Sequence, residues 1–231
     1  MCGRFPQYSV EQADLERYGI IYQKEISFVA NYNTVVTQNA LALLGDKSGN
    51  VRVGVLKWGL IPYWESGSSN AAKCMNARSE TVFDKPSFRH AIIKQRCLIP
   101  INGYYEWKPN NKTPYLVRHH TIHTLMAAGL WDTWISQEQE KIHTFTILTT
   151  EAKGHLKEIH HRMPLLFTEK KETDLWLNRS ITDPALIKPL LKPYAVDCFY
   201  ATEVTKQVNS TRNNFPELLL PEPDEDQFSL F

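Results

Sequence analysis

Nothing in this 231-residue sequence approaches the ~20-residue apolar run that a membrane-spanning helix needs. Met1-Cys2-Gly3-Arg4 has no hydrophobic stretch behind it to act as a secretory signal. No membrane partner is therefore expected. Cysteine is scarce: Cys2, Cys74, Cys97 and Cys198 show no close pairing, so a reduced, cytoplasmic setting is expected. No Cys/His spacing resembles a zinc site, and the adjacent His160 and His161 cannot share one helix face. Neither a metal nor a cofactor is expected. Heptads, a glycine period and internal repeats are missing, and aromatics reach 11%, which disfavours coiled coil, collagen and disorder.

Charge of one sign is also lacking, since the formal net charge is +1. That balance conceals an asymmetry. Residues 221–231 hold Glu222, Asp224, Glu225 and Asp226 with no base, leaving 26 basic and 21 acidic residues elsewhere, a net of +5. A mildly basic body permits nucleic-acid binding without demanding it.

What is present is 42% hydrophobic residues, enough for a sizeable core. Ser9 and Gln12 resemble a capping box that starts a helix through about Tyr18. Residues 51–58 alternate and read as a strand. Ser87 precedes a helical stretch to Lys94, and strands follow around 97–101, 104–108, 115–118, 124–129 and 144–149. Residues 151–159 and 169–177 read as helices, and 195–202 as extended. Many strands on short turns predict an α+β single domain with a curved, mainly antiparallel, barrel-like sheet flanked by helices. The expected domain spans 1–220, with 221–231 as an acidic flexible tail.

Cys2 is small enough for Met1 to be removed, which leaves a chain beginning with a 1,2-aminothiol. An α-amine, with a pKa near 8 against about 10.4 for lysine, has a neutral fraction a few hundred-fold larger at neutral pH. It can attack an aldehyde to form a Schiff base, and the nearby thiol can close a thiazolidine. Met-Cys-Gly also suits an N-terminal-nucleophile amidohydrolase that attacks amides through its thiol. The first residues alone leave both readings open, beside chance.

Three internal stretches add chemistry. Asn76-Ala77-Arg78-Ser79-Glu80-Thr81 is compact and polar, with the form of a capped turn. Gly103-Tyr104-Tyr105-Glu106-Trp107-Lys108 sets one carboxylate among aromatics; pressed against apolar neighbours its pKa rises, as a general acid or base requires, whereas on an edge it faces water. His160-His161-Arg162-Met163-Pro164 places imidazole beside guanidinium, suited to proton transfer near an anion. Trp58-Gly59-Leu60-Ile61-Pro62-Tyr63-Trp64 sets two indoles about a turn, for core packing or for stacking on unpaired bases.

These motifs, with Met-Cys-Gly-Arg-Phe at the start and Val204, Val208-Asn209, Arg212-Asn213 and Pro216-Glu217-Leu218 near the end, occur in one order. The series resembles the SRAP (SOS-response-associated peptidase) family of abasic-site processing proteins over roughly residues 2–218. The resemblance implies recognition of abasic sites in single-stranded DNA and a covalent thiazolidine crosslink through Cys2, with an AP-lyase side activity. The peptidase of the family name implies N-terminal self-processing, for which removal of Met1 suffices here. By motif, Cys2 supplies amine and thiol, Asn76 orients the cysteine or the sugar, Glu106 shuttles protons and His160 assists the Schiff-base steps. Arg4, Arg78 and Arg162 resemble phosphate-binding arginines, Asn33 a nucleotide contact, and Trp58 and Trp64 a wedge beside the lesion. A monomer, nucleoid-associated when engaged, is expected.

Two departures stand out. The family's Tyr-Asn-x-Ala-Pro is Tyr32-Asn33-Thr34-Val35-Val36 here, and the residue after the catalytic histidine, often acidic, is His161. The second change lowers the pKa expected for His160. A non-catalytic single-stranded-DNA binder is the third reading. Finally, Gln227-Phe228-Ser229-Leu230-Phe231 looks like the short peptide by which bacterial repair proteins dock on the sliding clamp; folding of Leu230 and Phe231 back onto the domain is its alternative.

Overall fold

The computed structural model describes residues 2–20, 28–46, 50–68 and 71–221. The acidic tail and its Gln227–Phe231 peptide lie outside the described residues, apart from Pro221. In chain order the strands are β1 (Arg4–Gln7), β2 (Asn31–Val35), β3 (Asn39–Gly45), β4 (Val51–Trp58), β5 (Asn76–Arg78), β6 (Arg96–Ile101) and β7 (Tyr104–Trp107). Then come β8 (Pro114–His119), β9 (Leu125–Ile135), β10 (Lys141–Glu151), β11 (Arg162–Pro164), β12 (Leu166–Phe167) and β13 (Phe199–Glu203). The helices are short: α1 (Gln12–Arg17), α2 (Ala91–Lys94), α3 (Lys170–Leu177) and α4 (Pro184–Ile187).

Strands β4, β3, β6, β9 and β10 close on themselves through the β9–β10 ladder to form a barrel. The β4–β10 seam is parallel and the other seams antiparallel. A second sheet runs β13-β8-β7-β1-β2. Closure removes the free edges that a long antiparallel sheet otherwise exposes. This is the α+β, barrel-like, mainly antiparallel fold expected from the alternating segments.

The period of two along a strand decides what β7 buries. Tyr104 belongs to the main core with Phe5, Trp58 and Phe145, whereas Tyr105, one residue on, belongs to a second cluster with Leu116, Val204, Val208 and Leu218. Glu106 shares the Tyr104 face and is only 3% exposed. The turn into β7 depends on Gly103, whose φ of +133° suits glycine. A Cβ there would also stand 2.7 Å from the Val117 carbonyl oxygen.

Arg96 ties the helices to the barrel. It is 1% exposed. Its Nε donates to the Trp176 carbonyl at 2.8 Å, Nη1 to Ile92 and Ile93, and Nη2 to Asn178 and Ile181. All five N–H donors meet backbone carbonyls, four at the ends of α2 and α3, groups that helix ends leave unsatisfied, and the fifth, Ile181, in the loop beyond α3.

Several local expectations change. The helix expected to begin at Ser9 starts at Gln12, with Glu11 at the N-cap; the Ser9 and Tyr8 amides donate to Asn102 Oδ1 instead. Only Ala91–Lys94 of the stretch after Ser87 is α-helical. Residues 151–159 do not form an α-helix: β10 runs on to Glu151, held by pairing with β11, and only a 3-10 turn, Gly154–Glu158, follows. Asn76–Arg78, read as part of a turn, is a strand paired parallel to β10.

Candidate functional site

Four chain regions meet around residue 2. Arg4 of β1 pairs with Tyr105 of β7, which brings the start of the chain beside the strand carrying Glu106. Trp58, fully buried, donates its indole N–H to the Met75 carbonyl at 2.8 Å and so fixes the entry to β5. From β5, Asn76 Nδ2 donates to the Cys2 carbonyl at 2.8 Å, and Asn76 Oδ1 is buried with no hydrogen-bond partner among the described residues. His160, at the turn before β11, places Nδ1 3.8 Å from Glu106 Oε1.

The electrostatics follow from burial. Cys2 is 0% exposed. Burial pushes its thiol well above the ordinary range, and the Glu106 charge adds to the effect, so the sulfur is neutral near pH 7. Burial raises Glu106 to about 7 and lowers His160 to about 4, with His161 and Arg162 as lesser causes. The lowering expected from His161 is thus present but is dominated by desolvation. At neutral pH the histidine carries no charge, so the 3.8 Å contact is not an ion pair. His160 Nδ1 lies 3.0 Å from the Arg162 amide and 3.2 Å from the Arg162 carbonyl; accepting from the amide, the shorter contact, leaves the proton on Nε2.

The expected arginines divide. Arg162 is 8% exposed and grips Glu80 through two parallel bonds of 2.8 and 2.9 Å, with a third to the Thr149 carbonyl at 2.7 Å. The guanidinium holds the Glu80 carboxyl below its usual range. Arg4 donates to the Val208 and Asn209 carbonyls and lies over the Trp107 ring at 5.4 Å. Arg78 is exposed and has no side-chain hydrogen bond among the described residues.

The aromatic and amide expectations divide likewise. Trp58 packs between Phe5 and Phe145, a core position with no face open to a base. Trp64 is 51% exposed and retains an open surface. Asn33, expected as a nucleotide contact, is 1% exposed. Its Nδ2 donates to the carbonyls of Val208, Ser210 and Asn213, so in this structure it binds the chain's own C-terminal segment.

Two residues escaped the sequence reading. Tyr104 and Tyr194 set their hydroxyls 3.3 Å apart. Both are raised above the tyrosine range, chiefly by burial. Tyr104 lay in a quoted motif without a role; Tyr194 comes from an irregular segment that carries no local signal. Among the described residues no His/Cys/Asp/Glu group is arranged to hold a metal, and no helix is long and apolar enough to cross a membrane.

Abasic site processing protein YoqW of Bacillus subtilis (strain 168) is 39% identical over 223 residues, covering 95% of this chain and 99% of its own. Abasic site processing protein YoaM of the same organism is 37% identical over 227 residues, covering 95% and 97%. A crystal structure of a Bacteroides thetaiotaomicron protein superposes with a TM-score of 0.83 at 28% identity, covering 96% of this chain and 100% of that one. The family profile described as SOS response associated peptidase (SRAP) matches residues 1–211. The chain belongs to the SRAP family.

Proposed function

We propose that this protein processes abasic sites by binding them in single-stranded DNA and crosslinking to them through Cys2. The observation that carries the reading is the convergence of Asn76, Glu106 and His160 on residue 2, from β5, β7 and the turn before β11. The names of the relatives, abasic site processing proteins, agree with it.

The steps follow from the protonation states. Removal of Met1 gives Cys2 a free α-amine. The thiol is held neutral, so the amine attacks first, adding to the aldehyde of the ring-opened deoxyribose. The carbinolamine then loses water to give an imine. Glu106, with a pKa of about 7, is protonated often enough at neutral pH to donate to the departing hydroxyl. As carboxylate it then accepts the thiol proton while sulfur adds to the imine carbon. Ring closure leaves a proton on nitrogen and a net loss of one water. His160, neutral with Nε2–H, donates a hydrogen bond to the sugar oxygen without adding charge. Asn76 fixes the Cys2 carbonyl and thereby the direction of the amine. Imine that is not captured by sulfur is open to β-elimination, a lyase activity in competition with the crosslink.

Arg78 and Trp64 supply the exposed contacts to phosphate and base, while Arg4, Asn33, Trp58 and Arg162 hold the elements that present them. The protein works as a cytoplasmic monomer that joins the nucleoid when engaged, and residues 227–231 dock on the sliding clamp. Binding of a peptide of residues 221–231 to the clamp, lost when Leu230 and Phe231 become alanine, tests the docking.

The decisive experiment incubates the protein with an abasic oligonucleotide and resolves the products on a denaturing gel. Cys2→Ala should abolish the stable adduct, while alanine at Cys74, Cys97 or Cys198 should preserve it. Undiminished adduct in Cys2→Ala would sink the mechanism.

A further inference from the structure

The five-stranded sheet carries a second polar pocket, beyond the opposite end of β1 from Cys2. It encloses about 200 Å³ between Tyr8, the β8–β9 turn and Tyr200 of β13. Its ionisable lining comprises Arg118, His119, His120, His123 and the two tyrosines, with no aspartate or glutamate.

We infer that this pocket binds a phosphate group, independently of the chemistry at Cys2. Three observations support an anion. First, Arg118 has a buried Nε with no hydrogen-bond partner among the described residues, and its Nη2 has only a long 3.4 Å bond to the Leu219 carbonyl. The enclosed Nε does not reach the cavity space, but a guanidinium charge on a wall free of carboxylates suits an oxyanion. Second, His119 is fixed as a donor: its Nδ1 accepts the Thr121 and Ile122 amides, both at 3.1 Å, leaving Nε2 to carry the proton. Third, the rings are braced. His120 stacks on Tyr200 at 4.8 Å, and the Tyr8 hydroxyl meets His123 Nε2 at 3.2 Å. The neighbouring carboxylate, Asp14, is engaged with Thr124 Oγ1 at 2.5 Å and lies 3.7 Å from His123 Nδ1, outside the lining.

Arg118 and Tyr200 are directly paired across β8 and β13, and Tyr115 pairs with Glu106 across β8 and β7. Three residues therefore separate Tyr115 from Arg118 along β8, about 10 Å at strand rise, and the odd spacing puts Arg118 on the Tyr105 face of the sheet, opposite Glu106. The phosphate belongs either to a DNA strand that passes around the sheet or to a free phosphorylated molecule.

The test titrates inorganic pyrophosphate into the full-length protein and follows the histidine side-chain resonances at constant ionic strength. Saturable shifts at His119, His120 and His123 are expected, with affinity at least tenfold weaker in Arg118→Gln. No saturation at 20 mM, or equal affinity in Arg118→Gln, overturns the site. An undamaged single-stranded oligonucleotide that competes with pyrophosphate identifies the source as a DNA phosphate; failure to compete, with pyrophosphate binding intact, identifies a free ligand. Cys2→Ala should bind pyrophosphate normally while losing the crosslink, so the two proposals fail separately.

Discussion

His160 Nδ1 stands 3.8 Å from Glu106 Oε1, and burial drives the two groups apart in pKa, to about 4 and about 7. Each is biased toward its neutral form: His160 is uncharged at neutral pH, and Glu106 is divided there between acid and carboxylate. The consequences for stability have opposite signs. A raised Glu106 contributes stability that is full below about pH 4.5 and is lost as pH rises through 7. A lowered His160 contributes stability present above about 6.5 and lost as pH falls through 4. A tenfold change in proton affinity between folded and unfolded chain corresponds to about 1.4 kcal/mol, and 1 kcal/mol moves Tm by about 2–4 °C in a chain of this size. Glu106→Gln cannot ionise, so its Tm relative to the parent should climb by several degrees between pH 5 and 8. His160→Asn should gain on the parent as pH falls from 6.5 to 4. Differences that do not vary with pH would contradict the burial argument.

Arg162 and Arg78 should behave as different kinds of residue. Arg162 is enclosed with Glu80 and Thr149, so Arg162→Gln leaves a buried carbonyl and a carboxylate short of donors. Because the Glu80 side chain is 48% exposed, the cost is about 1–3 kcal/mol, less than for a fully buried pair. Urea denaturation measures it. Arg78→Gln should leave the urea midpoint unchanged and instead reduce the salt slope of single-stranded DNA binding by about 0.7. The reverse pattern would exchange their roles.

Arg96 offers a stability test far from the site. Lysine retains the charge but has three donors where five carbonyls are now satisfied. Arg96→Lys should cost about 3 kcal/mol through carbonyls left unpaired, read as a lower urea midpoint. A loss under about 1 kcal/mol would mean that water replaces the missing donors.

Elements whose pattern is local were legible in the sequence. β4 spans the eight residues read as a strand, although its alternation slips at Val55, which is exposed, and Leu56, which is buried. α3 has a Glu169 amide bonded to Glu172 Oε2 at 3.2 Å at its start. Elements made by distant partners were not. β1 has four residues and exists because Val35 and Tyr105 lie on either side of it. β10 runs on to Glu151, the first residue of a stretch of helical composition, because Arg162 pairs with Glu151. The same distinction divides the site. Glu106 was legible as a candidate from its aromatic strand, but the choice between burial and a water-facing edge is decided by the structure, where it is 3% exposed. The inward turn of Asn33 was not legible, since its three carbonyl partners lie more than 170 positions away. Nor does composition distinguish a guanidinium closed on Glu80 from one open to solvent.

Glu106 is the residue on which the proposed chemistry turns, and its two functions can be separated. Glutamine keeps the shape and the burial but neither donates a carboxylic proton nor accepts one from the thiol. General acid–base assistance of this kind contributes about 10²–10⁴-fold. Glu106→Gln should therefore slow adduct formation by at least about 10²-fold while changing abasic-DNA affinity by less than about threefold. The pH profile supplies a second readout. In the parent, with Glu106 at about 7, the rate of adduct formation should bend near neutrality, where acid and base forms coexist. In the glutamine variant that bend should vanish, leaving the titration of the Cys2 amine alone. Rapid-quench gels across pH 5.5–9, with affinity measured separately by anisotropy, read both quantities. Equal losses of affinity and rate would make Glu106 a packing residue of β7, and a bend near 7 that survives in the variant would assign the proton transfer to another group.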